Sequence, residues 1–119
     1  MAQLDPEDAK IVTLARAARL RAHVPHTGVA EGAAVRDTDG RTYAAATVEV
    51  ADPVLTMSSL RGAVSAAGSS GARAFEAAAL VTEAETVDPR DLAVLREFGA
   101  GIPLLLAGSD GTVHATAST

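Results

Sequence analysis

PHTGVAEGAAVRDTDGRTYAAATVEVADPVLTMSSLRGA, from Pro25 to Ala63, holds two strands, the turn between them and the helix that follows. Val29 to Arg36 and Arg41 to Val50 are strand-like runs rich in small and β-branched residues. The Asp-Thr-Asp-Gly segment at 37 to 40 joins them as a hairpin, its glycine accepting backbone angles that other residues avoid. Asp52-Pro53 then reads as a helix start. Val54, Met57, Leu60 and Val64 form its apolar stripe, which stops near Gly68.

Outward from this stretch, two further Asp-Pro pairs read the same way, Asp5-Pro6 and Asp88-Pro89. An aspartate before a helix accepts hydrogen bonds from free backbone amides, and proline suits the first helical position because it has no amide to leave unpaired. The first helix is expected to run to about Ala22, with Ile11, Leu14, Ala18 and Ala22 on one face. Acids fill its first turn, and Arg19 and Arg21 lie at its end, opposite in sign to the helix dipole there. The third carries Leu92, Leu95 and Phe98 and ends at Gly99. Phe75 to Thr82, Ile102 to Ala107 and Thr112 to Thr116 are strand-like, the last two joined by Ser109-Asp110-Gly111. The order is helix, two strands, helix, strand, helix, two strands. It predicts one α/β domain over residues 1–119, with three helices and a five-stranded mixed sheet. Two helical crossovers predict parallel neighbours in the middle of that sheet.

Composition sets outer bounds. A chain of 119 residues with 48% apolar content buries about two-thirds of its unfolded surface. Much of that apolar content is alanine, and Tyr43, Phe75 and Phe98 are the aromatics. Such a core packs its elements closely and leaves little aromatic surface for stacking a base. The absence of cysteine excludes disulfides and thiolate metal ligands and fits a cytoplasmic location. No apolar run reaches membrane-spanning length, and the acidic, polar N-terminus is unlike a signal peptide. A formal charge of -5 argues against nucleic-acid binding.

The motifs PHTGVAEGAA at Pro25 to Ala34, TVE at Thr47 to Glu49 and SSLRGA at Ser58 to Ala63 resemble the cytidine deaminase family in order and spacing. In that family these places hold a proline-tyrosine-serine segment, a glycine-alanine-alanine strand, a ribose-binding asparagine-x-glutamate and a cysteine-alanine-glutamate-arginine helix. Val87 to Ala93 best matches the family's second cysteine motif, with Leu95 to Phe98 (LREF) closing the match. The resemblance implies a three-layer α/β/α fold, and it covers nearly the whole chain. It also implies zinc, whose bound water attacks the base while a glutamate moves protons. Here Ser58 stands at the first ligand position, Asp88 and Asp91 stand at the two cysteine positions, and Leu60 stands where the proton-shuttling glutamate belongs. The metal ligands and catalytic residues of the family are therefore absent, no zinc or other cofactor is expected, and the resemblance implies a degenerate member. Vestigial substrate-binding positions are Thr47 and Glu49, matching the ribose-holding pair, and Val29, matching a phenylalanine that packs on the base.

Each of these residues also has a plainer reading. Asp88 and Asp91 could join Ser58 as hard oxygen ligands for Mg²⁺, but a helix cap with a second acid in the first turn accounts for both. Leu60 falls on the apolar stripe, where burial stabilises by roughly 1.5–3 kcal/mol, so the former pocket is expected to have become core. Thr47 and Glu49 share one face of a strand end, which could simply be solvated. His23, His26 and His114 lack metal-ligand spacing, and Ser58, Ser59, Ser69 and Ser70 lack a nucleophile-elbow sequence. Gly99-Ala100-Gly101 leads from helix to strand, the reverse of a phosphate cradle. Lys10, Arg16, Arg19 and Arg21 are better explained by helix-end charge than by an RNA patch.

The expectation is a catalytically inactive pseudoenzyme acting as a binding or assembly module, a homo-oligomer (dimer or tetramer) with no nucleic-acid or membrane partner. The alternatives are a nucleoside or nucleotide sensor without turnover, and a divergent cytidine deaminase.

Overall fold

In a computed structural model that describes residues 4–119, the three Asp-Pro pairs start three helical segments of unequal kind. Asp5 accepts from the Glu7 amide and opens α1 (Pro6–Arg19); Asp88 accepts from the Arg90 amide and opens α3 (Pro89–Arg96). Asp52 caps only a single 3₁₀ turn, Pro53–Leu55. The helix expected there, α2, begins later at Ser59–Ser69, with Ser58 as its cap accepting from the Arg61 amide. Val54 and Met57 therefore leave the expected stripe and are exposed, while Leu60, Ala63, Val64 and Ala67 form the buried face. The physical reason lies in Thr56 to Ser58. Met57 pairs with Val48 through both backbone groups, so the chain is extended there and cannot continue a helix from Pro53.

The strands are β1 (Gly32–Asp37), β2 (Thr42–Ala46), β3 (Phe75–Val81), β4 (Pro103–Ala107) and β5 (Val113–Ser118), in the spatial order β2-β1-β3-β4-β5. This is the expected five-stranded mixed sheet with three α-helices. The expected parallel neighbours in the middle of the sheet are found at β3·β4, across the α3 crossover, but not across the α2 crossover, since β1 pairs antiparallel with β3. The crossover through α2 leads from β2 to β3 with β1 lying between them, so the two strands it joins are not neighbours. Two boundaries also move inward. α1 ends at Arg19 rather than Ala22, and the sheet pairing of β2 ends at Ala46 rather than Val50.

Alternation along the strands sends side chains to two faces. Ile11, Val12 and Ala15 of α1 pack with Ala34, Ala77, Ala79, Val81, Leu105 and Ala107 on one side. Leu60, Ala63, Val64 and Ala67 of α2 and Leu95 of α3 pack with Ala33, Val35, Ala78, Leu80, Leu104 and Leu106 on the other. These are three layers, helix, sheet and helices. The small residues set the spacing between them. A Cβ on Gly32 would lie 2.2 Å from the Ala15 carbonyl oxygen, so β1 and α1 touch backbone to backbone at this point. The hairpin between β1 and β2 is tied by Asp37, buried, whose Oδ1 accepts from the Asp39 and Arg41 amides and whose Oδ2 accepts from the Tyr43 hydroxyl.

Candidate functional site

Three elements meet at one end of the strands: the extension of β2 past Ala46, the start of α2 and the start of α3. They enclose an open cleft of ≈ 330 Å³. Val29, Thr47, Glu49, Ser58, Arg61, Asp88 and Asp91 all line it. Leu60 does not. It is wholly buried in the core beneath α2, as its place on the apolar stripe implies.

Thr47 and Glu49 are tied down by backbone that leaves the sheet. The His23 amide donates to the Thr47 carbonyl and the Glu49 amide to the His23 carbonyl, which fixes both side chains on one face. Thr47 Oγ1 accepts from the Glu31 amide at 3.2 Å and lies 3.2 Å from the Glu31 carbonyl oxygen, to which it can donate. Glu49 is 6% exposed, so the solvated reading of this strand end is corrected. Its Oε1 accepts from the His26 and Thr27 amides at 3.0 and 3.2 Å, and its Oε2 accepts from the Thr27 hydroxyl at 2.5 Å. The hydrogen bond from the Thr27 side chain is the largest reason the Glu49 carboxyl titrates below the ordinary glutamate range. Glu49 thus holds the loop that carries Val29, which projects into solvent at 62% exposure.

At the other wall, Ser58 and Asp91 meet. The Ser58 hydroxyl donates to Asp91 Oδ1 at 3.0 Å and itself accepts from the Arg61 amide and from Arg61 Nε, at 3.1 and 3.0 Å. Arg61 Nε lies 2.8 Å from Asp91 Oδ1. Burial pushes the Asp91 carboxyl above its ordinary range, opposed by Ser58 and Arg61. Asp88 is held differently. Its Oδ2 pairs with the Arg90 guanidinium at 2.9 Å, and this partner above all lowers its pKa. The fourth acid of the cleft, Glu31, accepts from the Thr82 hydroxyl at 2.5 Å. Among the described residues no three His, Cys, Asp or Glu side chains gather in a metal-holding group.

Sequence reasoning missed two features here. One is Arg61 as the partner of Asp91, a contact between residues thirty apart in the chain. The other is the loop-holding role of Glu49. The first left a signal, since a serine three residues before an arginine at a helix start places both side chains on one side of the first turn. The second left none, because Thr27 and Glu49 share no periodic pattern. Beside the cleft, a second cavity of ≈ 430 Å³ is lined by Val54, Leu55, Met57 and residues of α2.

Comparison with known proteins identifies the fold and the family. The family model for cytidine deaminase-like proteins matches residues 4–111. Among solved structures, the chain is similar to cytidine deaminase from Burkholderia pseudomallei, at 28% identity over 92% of this chain and 90% of that one, with a TM-score of 0.84. It is similar to cytidine deaminase from Mycobacterium tuberculosis at 30% identity, over 86% and 85% of the two chains, with a TM-score of 0.77. The enzyme from Mycobacterium leprae shares the fold at 21% identity, over 96% and 94%, with a TM-score of 0.80. No curated protein matches the chain at a significant level.

Proposed function

We propose that this chain, which belongs to the cytidine deaminase-like family, is a member without deaminase activity that serves as a binding or assembly module. The observation that carries this reading is the state of the acids in the cleft. Glu31, Glu49, Asp88 and Asp91 are each already held by the chain's own donors, so no carboxylate stands free to move protons. A neutral serine hydroxyl, an aspartate paired with Arg90 and an aspartate in contact with Arg61 do not suit zinc, which takes thiolate and imidazole ligands in this chemistry. Leu60 adds to this, because a glutamate at its place would have to be buried in the core.

A second reading, a nucleoside sensor without turnover, is favoured by the persistence of a cleft with Val29, Thr47 and Glu49 in its lining. Thermal-shift measurements with cytidine, uridine and their phosphates separate the two, since a ligand of the folded state raises its Tm. Elemental analysis tests the reading as a whole. Less than a tenth of an equivalent of zinc per chain is expected by order of magnitude, for want of thiolates, and stoichiometric zinc would overturn it. Cytoplasmic location and a dimeric or tetrameric state are part of the same proposal. Among the described residues no helix is long and apolar enough to cross a membrane. Val54, Leu55 and Met57, at 84%, 62% and 53% exposure, give an apolar surface suited to a second copy.

A further inference from the structure

The cleft brings two helix starts together, and the aspartate where they meet is buried. Asp91, on the first turn of α3, is 6% exposed, and a carboxylate so placed needs a positive charge close by or must give up its own. The chain supplies one from α2. Arg61 Nε lies 2.8 Å from Asp91 Oδ1 and 3.0 Å from Ser58 Oγ, while Ser58 donates to the same Asp91 oxygen at 3.0 Å. The three groups close a triangle in which one cation touches two oxygen donors from two helix starts. Among the described residues no other side-chain hydrogen bond or ion pair joins α2 to α3.

We propose that the Arg61 guanidinium is the permanent cation of this joint: it does the work of a bound divalent ion, holding the start of α2 to the start of α3, and keeps free divalent cations out. A guanidinium is covalently part of the chain, does not dissociate from it, and aims planar donors at oxygen. An ion held by the same two oxygens would need further ligands, and the other nearby carboxylate, Asp88, is engaged by Arg90. The inference rests on the metal-free reading of the cleft and goes beyond it by assigning the charge on which the joint depends.

The test is a thermal-melting cycle on the full chain with Arg61→Ala, Asp91→Asn and the double variant, each in EDTA and in millimolar Mn²⁺. The parent should melt at the same temperature in both. Arg61→Ala should melt about 5–10 °C lower, because it strands a buried carboxylate. Asp91→Asn on that background should restore at least half of the loss. Mn²⁺ should raise the Tm of Arg61→Ala but of neither the parent nor the double variant. Should Arg61→Ala fail to fold, the double variant is still expected to fold, and its failure to do so would overturn the proposal. Additive losses in the cycle would also overturn it, as would a parent and an Arg61→Ala variant equally responsive to Mn²⁺. Stoichiometric zinc in the parent would sink the metal-free reading itself, whereas additivity in a zinc-free parent sinks this inference alone.

Discussion

Leu60 and Glu49 are both buried, one in the apolar core and one at the wall of the cleft, and different physics governs each. Leu60 is fully enclosed among Ala33, Val35, Ala63 and Val64, so its replacement is governed by burial. Leu60→Glu should destabilise the fold by about 3 kcal/mol or more, since the carboxyl would be buried among apolar side chains. Leu60→Met, close in volume, should cost less than about 1.5 kcal/mol. Urea denaturation of the two variants checks this, and equal losses would show that Leu60 is not core. Glu49 carries the opposite lesson, being a buried charge whose donors all come from the 26–27 backbone and Thr27. Because its folded pKa lies below the ordinary glutamate range, its contribution is complete at neutral pH and is lost as pH falls through that depressed value. Glu49→Gln should therefore lower Tm at neutral pH and leave a flatter acid limb than the parent. Melting curves from neutral to acid pH would contradict the assignment if the two limbs had the same slope.

At the scale of the element, the strand-helix order was legible because periodicity and turn chemistry agree with the packing. Ala33 and Val35 alternate with Ala34 across the sheet as a strand of this fold requires. Helix starts were only partly legible. Asp5 and Asp88 have the cap-proline pattern and cap full helices, whereas Asp52 has the same pattern and caps one 3₁₀ turn. What decides the difference is the pairing of Met57 with Val48, a contact between separate segments that no local propensity records. The convergence of Ser58 with Asp91 was implied by the resemblance to the family's ligand positions, but the arginine that joins them was not. If Ser58, Asp88 and Asp91 occupy former ligand positions, replacing all three with cysteine should place three thiolates beside two helix N-termini, whose amides favour negative sulfur. Three thiolates form a ligand set suited to Zn²⁺. The folded triple variant should bind zinc more tightly than the parent, as read by competition with a chromogenic chelator. Equal affinities would show that residues 87–93 have been aligned wrongly with the family.

For the whole molecule, the fold was readable from one chain because nearly every element is specified locally, while oligomeric state depends on surfaces whose partners lie outside it. The exposed Val54, Leu55 and Met57 belong to the segment that the sequence pattern assigned to a buried stripe. That misassignment has a physical sense, because the side chains are apolar for burial but the single chain does not cover them. Light scattering at micromolar concentration should give a dimer or tetramer of the 12.0 kDa chain, and a monomeric particle would contradict self-association. The proposal that this chain has no deaminase activity is tested most directly by turnover. Purified protein, incubated with cytidine or deoxycytidine in the presence of added Zn²⁺, should release no ammonia above the uncatalysed background. Ammonia release that scales with protein concentration and is abolished by a chelator would contradict that proposal.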